Sequence, residues 1–410
     1  MKKILVIVIT LFSIGFACTS AVISGKATVD GRPLLWKHRD TGSLENKLVF
    51  ISEKGYDFMG IANVKDPESK DIWMGVNEKG FAIMNTASYN INEGLTCNVE
   101  DDQEGLFMRY ALETCANAED FEQLLTVSSG KWGVAANFGV IDAEGNAAYY
   151  ETGYYDYTKF DATDFATAPE GYLIRTNFSL SGRGDEGVGY IRYDATTGLF
   201  EEQEKFSVDF ILNEATRNLD HGLLKKDIGN MKLPKSFNDK TMIDFQDYVV
   251  RYSSASVLVV QGVKPGEDPK NTVLWPIVGF PLTALVTPVF YGEDIPEVIT
   301  TDSKEAPFLP TASLKLKDEL FPIEFDDKEN YIDVSKLKNR KKTGYRQILA
   351  EAEEKIYAKF EALGPDPSQE AIEDYYLWLD VYVSQVYEPL LPEDKIDCDL
   401  PRCGDEKVCE

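Results

Sequence analysis

The sequence predicts an α+β fold with layered packing, and three features predict it. Short apolar runs separated by Gly-, Asn- and Asp-containing turns fill the first half of the chain, the pattern of antiparallel hairpins. Helical stretches come in blocks between blocks of strands rather than in strict βαβ alternation. After about residue 304 the apolar spacing changes to the 3.6-residue period of amphipathic helices.

Taken in order, Cys18–Ser24 and Pro33–Lys37 read as strands joined through Val29-Asp30-Gly31-Arg32. Lys47–Ser52 and Asp57–Ala62 repeat the design around Glu53-Lys54-Gly55, and Ile72–Gly75 and Phe81–Asn85 repeat it around Asn77-Glu78-Lys79-Gly80, with Asn77 as the turn residue. From Gly105 to about Val127 the spacing of Phe107, Tyr110, Ala111 and Cys115 predicts helix, restarted at Ala118-Glu119-Asp120. Strands resume at Ala135–Ile141, Ala147–Thr152 and Gly171–Thr176, a largely helical stretch covers about 188–217, and Ser256–Val260 with Thr272–Val278 forms a later strand pair. One helix carries Tyr345, Ile348, Leu349, Ala352, Ile356 and Phe360 on one face and ends at Gly364. The next starts from Asp366 as cap, with Pro367 at the first position and Gln369 closing a capping box.

Composition narrows the function. The chain has 410 residues, 27% charged, and a net charge of −27 that disfavours nucleic acid and anionic membrane surfaces as partners. Residues 1–17 read as a secretory signal: Lys2 and Lys3, the apolar run Ile4–Phe16, and the small-x-small site Gly15-Phe16-Ala17. No later run reaches the ~18 apolar residues of a membrane span, so an exported protein without a span, periplasmic or extracellular, is expected. Cys398, Cys403 and Cys409 crowd a polar terminus and read as a disulfide-tied tail rather than a zinc site, while Cys97 and Cys115 fit core thiols equally well.

The common catalytic motifs are absent, and His38 and His221 are the two histidines of the chain. Any catalysis must therefore manage without histidine as the usual base. Cleavage before Cys18 would supply one: a free α-amine, with a reference pKa of about 7.7–8.0, on the residue that bears the thiol. Thiol and amine together make an activated nucleophile. The competing reading is a lipoprotein binding module anchored through Cys18, but bulky Phe16 suits a lipidation site poorly, and lipidation would block both groups.

At this point a family resemblance is visible. Cys18-Thr19, the strand ending Trp36-Lys37-His38-Arg39-Asp40, the hairpin Gly75-Val76-Asn77-Glu78-Lys79-Gly80-Phe81-Ala82 and Thr176-Asn177 together resemble the choloylglycine hydrolase and penicillin acyltransferase group of amino-terminal-nucleophile (Ntn) hydrolases. The resemblance covers about residues 18–290. It implies a four-layer αββα sandwich of two antiparallel sheets over 18–303. The amphipathic helices of the extension over 304–410 are expected outside that core, packing back on the body, and offer a surface for a possible homo-oligomer. The resemblance also implies cleavage of a linear amide, or acyl transfer to an amine, without metal or organic cofactor, on a small-molecule amide substrate. By position, Cys18 would be nucleophile and base, and Asp40 the partner of its α-amine. Lys37 stands where bile-salt hydrolases have arginine, with Arg39 able to compensate. Asn177 and Asn85 would donate to the oxyanion, and Arg192, with Arg183 as the fallback, would be the late site arginine. The loops 89–101 and 151–170, with Tyr149, Tyr150, Tyr154, Tyr155 and Tyr157, are expected as pocket walls.

Overall fold

A computed structural model describes residues 17–391 apart from 93, 98, 100–102, 185 and 324–327. The leader up to residue 16 and the tail cysteines Cys398, Cys403 and Cys409 lie outside the described residues.

Two hairpin strands open the chain, β1 (Thr19–Ile23) and β2 (Leu34–Asp40), and every residue of both is buried. Gly31 permits the turn between them by taking φ +80°, a conformation other residues rarely adopt. A meander follows: β3 (Asn46–Ile51), β4 (Phe58–Asn63), β5 (Met74–Asn77) and β6 (Ala82–Ala87). The predicted helix is two, α1 (Glu104–Thr114) and α2 (Ala118–Val127), and Asn117 caps the second by accepting from the Asp120 N–H. With β7 (Ala136–Ile141), β8 (Ala147–Thr152) and β9 (Tyr157–Asp161), the strands β3 to β9 form a seven-stranded antiparallel sheet in sequence order.

The chain then returns to the first sheet as β10 (Tyr172–Arg175), followed by α3 (Tyr190–Glu201) and by α4 (Val208–Phe210) running into a π-helical turn over Ile211–Ala215. β11 (Asp220–His221) pairs with β12 (Lys226–Asp227) in a small ladder, and β13 (Met242–Asp244) waits for a later partner. β14 (Ser254–Gln261), β15 (Val273–Val278) and β16 (Val289–Phe290) complete the first sheet, six strands in the order β10-β1-β2-β14-β15-β16.

Strand alternation sorts the side chains into layers. Val22 and Leu35 point between the sheets, where they meet Met59, Met84 and Tyr149 of the second sheet. Ala21, Ile23 and Trp36 point the other way, onto Phe200, Ile211 and Leu212 of the helical layer outside the first sheet. On the far side Phe58, Phe81, Phe138 and Tyr150 pack against Phe107 and Phe121 of α1 and α2. Helices, sheet, sheet, helices: the four-layer αββα arrangement follows from these three apolar clusters.

The C-terminal part holds α5 (Phe308–Leu320), β17 (Tyr331–Asp333), α6 (Val334–Leu337), α7 (Tyr345–Glu361) and α8 (Gln369–Tyr387). Ser368, not Asp366, caps α8 by accepting from the Ala371 N–H, while Gly364 ends the preceding segment at φ +76° as expected. The apolar faces of these helices pack on the body. Leu349, Ile356, Tyr375 and Leu379 share the apolar cluster that fills the space between the sheets, and β17 pairs with β13 of the body. The physical tie is Glu353 of α7, which is buried and accepts from Arg217 Nη2 at 2.6 Å, from the Val286 N–H at 2.9 Å and from Arg346.

Removing one member of such a buried ionic group leaves uncompensated charge and costs about 3–5 kcal/mol. Glu353→Ala is therefore expected to lower the stability of the whole domain by that amount in a single denaturant transition. A loss below about 1 kcal/mol, or a separate early transition, would mean that the extension folds on its own.

Candidate active site

The register of β1 decides what stands around its first residues. Ser20 is opposite Arg175 and Thr19 is opposite His38, so continuing both ladders sets Cys18 abreast of Asn177 on one side and of Arg39 on the other. Cys18 is buried at the end of this strand. Its nitrogen, here still joined to Ala17, donates to Asn177 Oδ1 at 2.8 Å. Its sulfur lies 4.0 Å from the backbone oxygen of Asp40.

Arg192 of α3 closes the arrangement from the helical layer. Its Nη1 donates to the Cys18 carbonyl oxygen at 2.6 Å and to Thr19 Oγ1 at 2.8 Å, and its Nη2 donates to Asn177 Oδ1 at 2.9 Å. Burial lowers this guanidinium to about 9, with repulsion from Arg251 acting the same way. The Asn177 amide nitrogen donates to the Ala87 carbonyl oxygen at 2.9 Å, which fixes the side chain's orientation.

Lys37 and Asn85 face each other on the cavity side of the sulfur. Lys37 Nζ donates to Asn85 Oδ1 at 2.6 Å and to the Trp73 carbonyl oxygen at 2.8 Å. Its pKa falls from the ordinary lysine value to about 7, chiefly because burial disfavours the charged form; attraction to Cys18 works in the opposite direction. For Asn85 Nδ2 the described residues supply no acceptor. Cys18, Lys37, Arg39, Asp40, Trp73 and Asn85 line a cavity of about 230 Å³. A larger cavity, about 860 Å³ beside Asp194, Arg217 and Arg346, contains none of these groups and is no candidate for chemistry at the sulfur.

Beneath the cavity Asp40 is held from two sides. Arg251 Nε donates to its Oδ2 at 2.8 Å and Ser254 Oγ to its Oδ1 at 2.7 Å. Ser254 Oγ has spent its proton on Asp40, so His38 Nε2, 2.8 Å away, must be the donor to it. Burial pushes His38 down to about 4, which keeps it a neutral spacer rather than a base at neutral pH.

All six expected site residues thus fall around one strand end, with three differences in detail. The recorded partner of the Cys18 nitrogen is the Asn177 carbonyl, whereas the Asp40 carboxylate is engaged by Arg251 and Ser254. Asn177, expected to donate to an oxyanion, instead accepts through Oδ1 and spends Nδ2 on Ala87, leaving Asn85 as the amide with a nitrogen to offer. The fallback arginine, Arg183, is half exposed and paired with Glu186 at 3.3 Å. Nor does either tyrosine-rich loop line the cavity among the described residues: Tyr149 is buried between the sheets on Ser20 Oγ at 2.8 Å, and Tyr154, Tyr155 and Tyr157 border another hollow. Sequence reasoning missed Arg251, Ser254 and Trp73. Ser253–Val260 is similar to the late Ser-Ser strand pair of the choloylglycine hydrolase and penicillin acyltransferase group, but that similarity assigns no role to Ser254 or to Arg251.

Residues 37–198 match the family model described as acyl-coenzyme A:6-aminopenicillanic acid acyl-transferase. That match spans 162 of the 410 residues. The match begins at Lys37, downstream of Cys18, so the surroundings of Cys18 rest on the geometry above. Solved structures similar to it include a mutant conjugated bile acid hydrolase from Clostridium perfringens, 13% identical with a TM-score of 0.39, covering 68% of this chain and 93% of that one. An N-acylethanolamine-hydrolyzing acid amidase ortholog from Caenorhabditis elegans is 13% identical with a TM-score of 0.39, over 60% and 92% of the two chains. A penicillin V acylase from Agrobacterium tumefaciens is 11% identical with a TM-score of 0.35, over 67% and 86%. No curated protein matches the sequence.

The buried lysine gives a stability prediction with a definite sign. Lys37 titrates near 7 when folded and near 10.5 when unfolded, so between those values the unfolded chain binds more protons and stability rises with pH, by up to about 1.4 kcal/mol per pH unit. Below pH 7 the penalty is complete; above 10.5 it is gone. Lys37→Met should therefore be more stable than wild type at pH 6 and lose that advantage by pH 10, as urea melts across the range would record.

Proposed function

We propose that the protein is an exported amidase or acyltransferase that opens a linear amide C–N bond through an acyl-enzyme on Cys18. In this reading the leader is removed before Cys18, and the nitrogen that now donates to Asn177 becomes the free α-amine. The observation that carries it is the double grip on Cys18: Asn177 Oδ1 on its nitrogen and Arg192 on its carbonyl. A guanidinium bound to both the Cys18 and Asn177 carbonyl oxygens disfavours a second positive charge on the adjacent amine. The amine is then a neutral base, held in place to take the thiol proton and return it to the leaving amine.

The thiolate attacks the amide carbon, and the carbonyl oxygen acquires charge. Asn85 Nδ2 and the Lys37 ammonium lie on the cavity side to receive it, both already fixed before substrate arrives. Asp40 acts from beneath; its carboxylate, tied to Arg251 and Ser254, keeps the end of β2 in register beside the sulfur. Amine departs, and water or a second amine resolves the acyl-enzyme. The similarity to acyltransferases and amide hydrolases supports this class of reaction.

The test pairs chemistry with processing. Intact mass of the mature protein should begin at an unmodified Cys18, and a panel of small linear amides should include at least one substrate whose turnover falls by about 10³-fold or more in Cys18→Ala. A diacylglyceryl adduct on Cys18, or turnover that survives the substitution, would remove the proposal.

A further inference from the structure

Arg39 has no part in the reaction just described, yet it lines the same cavity while only 3% of the residue is exposed. Its position is fixed by three contacts. Nη1 donates to Asn46 Oδ1 at 2.6 Å and to Asn63 Oδ1 at 3.1 Å, and the guanidinium lies over the Trp73 ring at 4.5 Å. For Nε and Nη2 the described residues supply no acceptor. These two nitrogens form one edge of the guanidinium fork, the edge that matches both oxygens of a carboxylate.

Charged groups of both signs line the cavity. Lys37 and Arg39 face it, and so do Asp40 and Asp71, but Asp40 is already matched by Arg251 from the next strand. Burial lowers the Arg39 guanidinium to about 10, while attraction to Cys18 and then to Asp71 works in the opposite direction. Size narrows the ligand further. About 230 Å³ is below the usual ~300–1,000 Å³ of drug-sized sites, which favours a small ligand portion next to the sulfur. Cys18 and Arg39 stand abreast on neighbouring strands, ~4.8 Å apart at the backbone, so a charge on Arg39 sits a few bonds from a carbonyl at the sulfur.

We propose that Arg39 is the specificity-determining residue of this pocket and that it binds the carboxylate of a small amide, an N-acyl amino acid with a short acyl chain, through Nε and Nη2. This rests on the assignment of Cys18 as the nucleophile, and Trp73 supplies the flat wall on which the guanidinium is held.

The test measures binding apart from turnover. Processed protein carrying Cys18→Ala is titrated calorimetrically with N-acetylglycine and with N-acetylglycinamide, which differ only in the carboxylate. N-acetylglycine is expected to bind at least about tenfold more tightly, and adding Arg39→Met should bring the two within about twofold. Equal affinities, no binding of either compound, or a preference that survives Arg39→Met would overturn the proposal. If Arg39→Met fails to fold, the two-ligand comparison in the parent still decides. Turnover of either compound by the Cys18→Ala protein would instead overturn the nucleophile assignment while leaving the carboxylate preference standing, so the two failures are separable.

Discussion

The site depends on one carbonyl oxygen. Asn177 Oδ1 accepts from the Cys18 nitrogen and from Arg192 at once, and its orientation is locked because the other end of the amide is spent on Ala87. Ala87 ends β6 in the second sheet, Asn177 follows β10 at the edge of the first, and Arg192 comes from the helical layer. Three layers of the fold therefore converge on Cys18, the residue that precedes β1. A chain terminus is ordinarily mobile; the nucleophile proposed for the processed terminus instead leads directly into a buried strand flanked on both sides.

Holding so many charges in the interior has a price in desolvation, visible in the lowered values of Lys37, Arg39 and Arg192. Each is offset by hydrogen bonds that also define geometry: Lys37 to Asn85 and Trp73, Arg39 to Asn46 and Asn63, Arg192 to Cys18 and Asn177. Removing any one leaves its partners unsatisfied in a low-dielectric site. The same logic operates away from the cavity, where Glu353 joins Arg217 and Arg346 and ties α7 to the body.

Much of the fold was legible because its turns are chemically explicit. Gly31 and Gly80 sit at φ +80° and +78°, where the sequence placed hairpin turns, and Asn77 spends its side chain on the loop backbone, as a turn residue does. β9 escaped notice because an edge strand with exposed Thr158 and Lys159 lacks a buried face to pattern it. α5 was not resolved as a separate helix, since Pro310 reads as a breaker; in the first turn its missing N–H has no intrahelical partner to lose. At the site, the order of Cys18, Lys37, Asp40, Asn85, Asn177 and Arg192 along the chain was enough to assemble the set. What each amide does was not legible, because the direction of Asn177 is set by Ala87, ninety residues away in sequence. Arg251 and Ser254 reach Asp40 across 211 and 214 residues, a pairing that only the adjacency of β2 and β14 creates.

The most direct measurement is to incubate the mature protein with a short activated acyl ester, quench it in acid, and map the adduct by peptide mass. The account predicts a single acyl group on the sulfur of Cys18, in a peptide whose α-amine is free before the reaction. An acyl group on Cys97 or Cys115 instead, or an amino terminus already blocked, would contradict it.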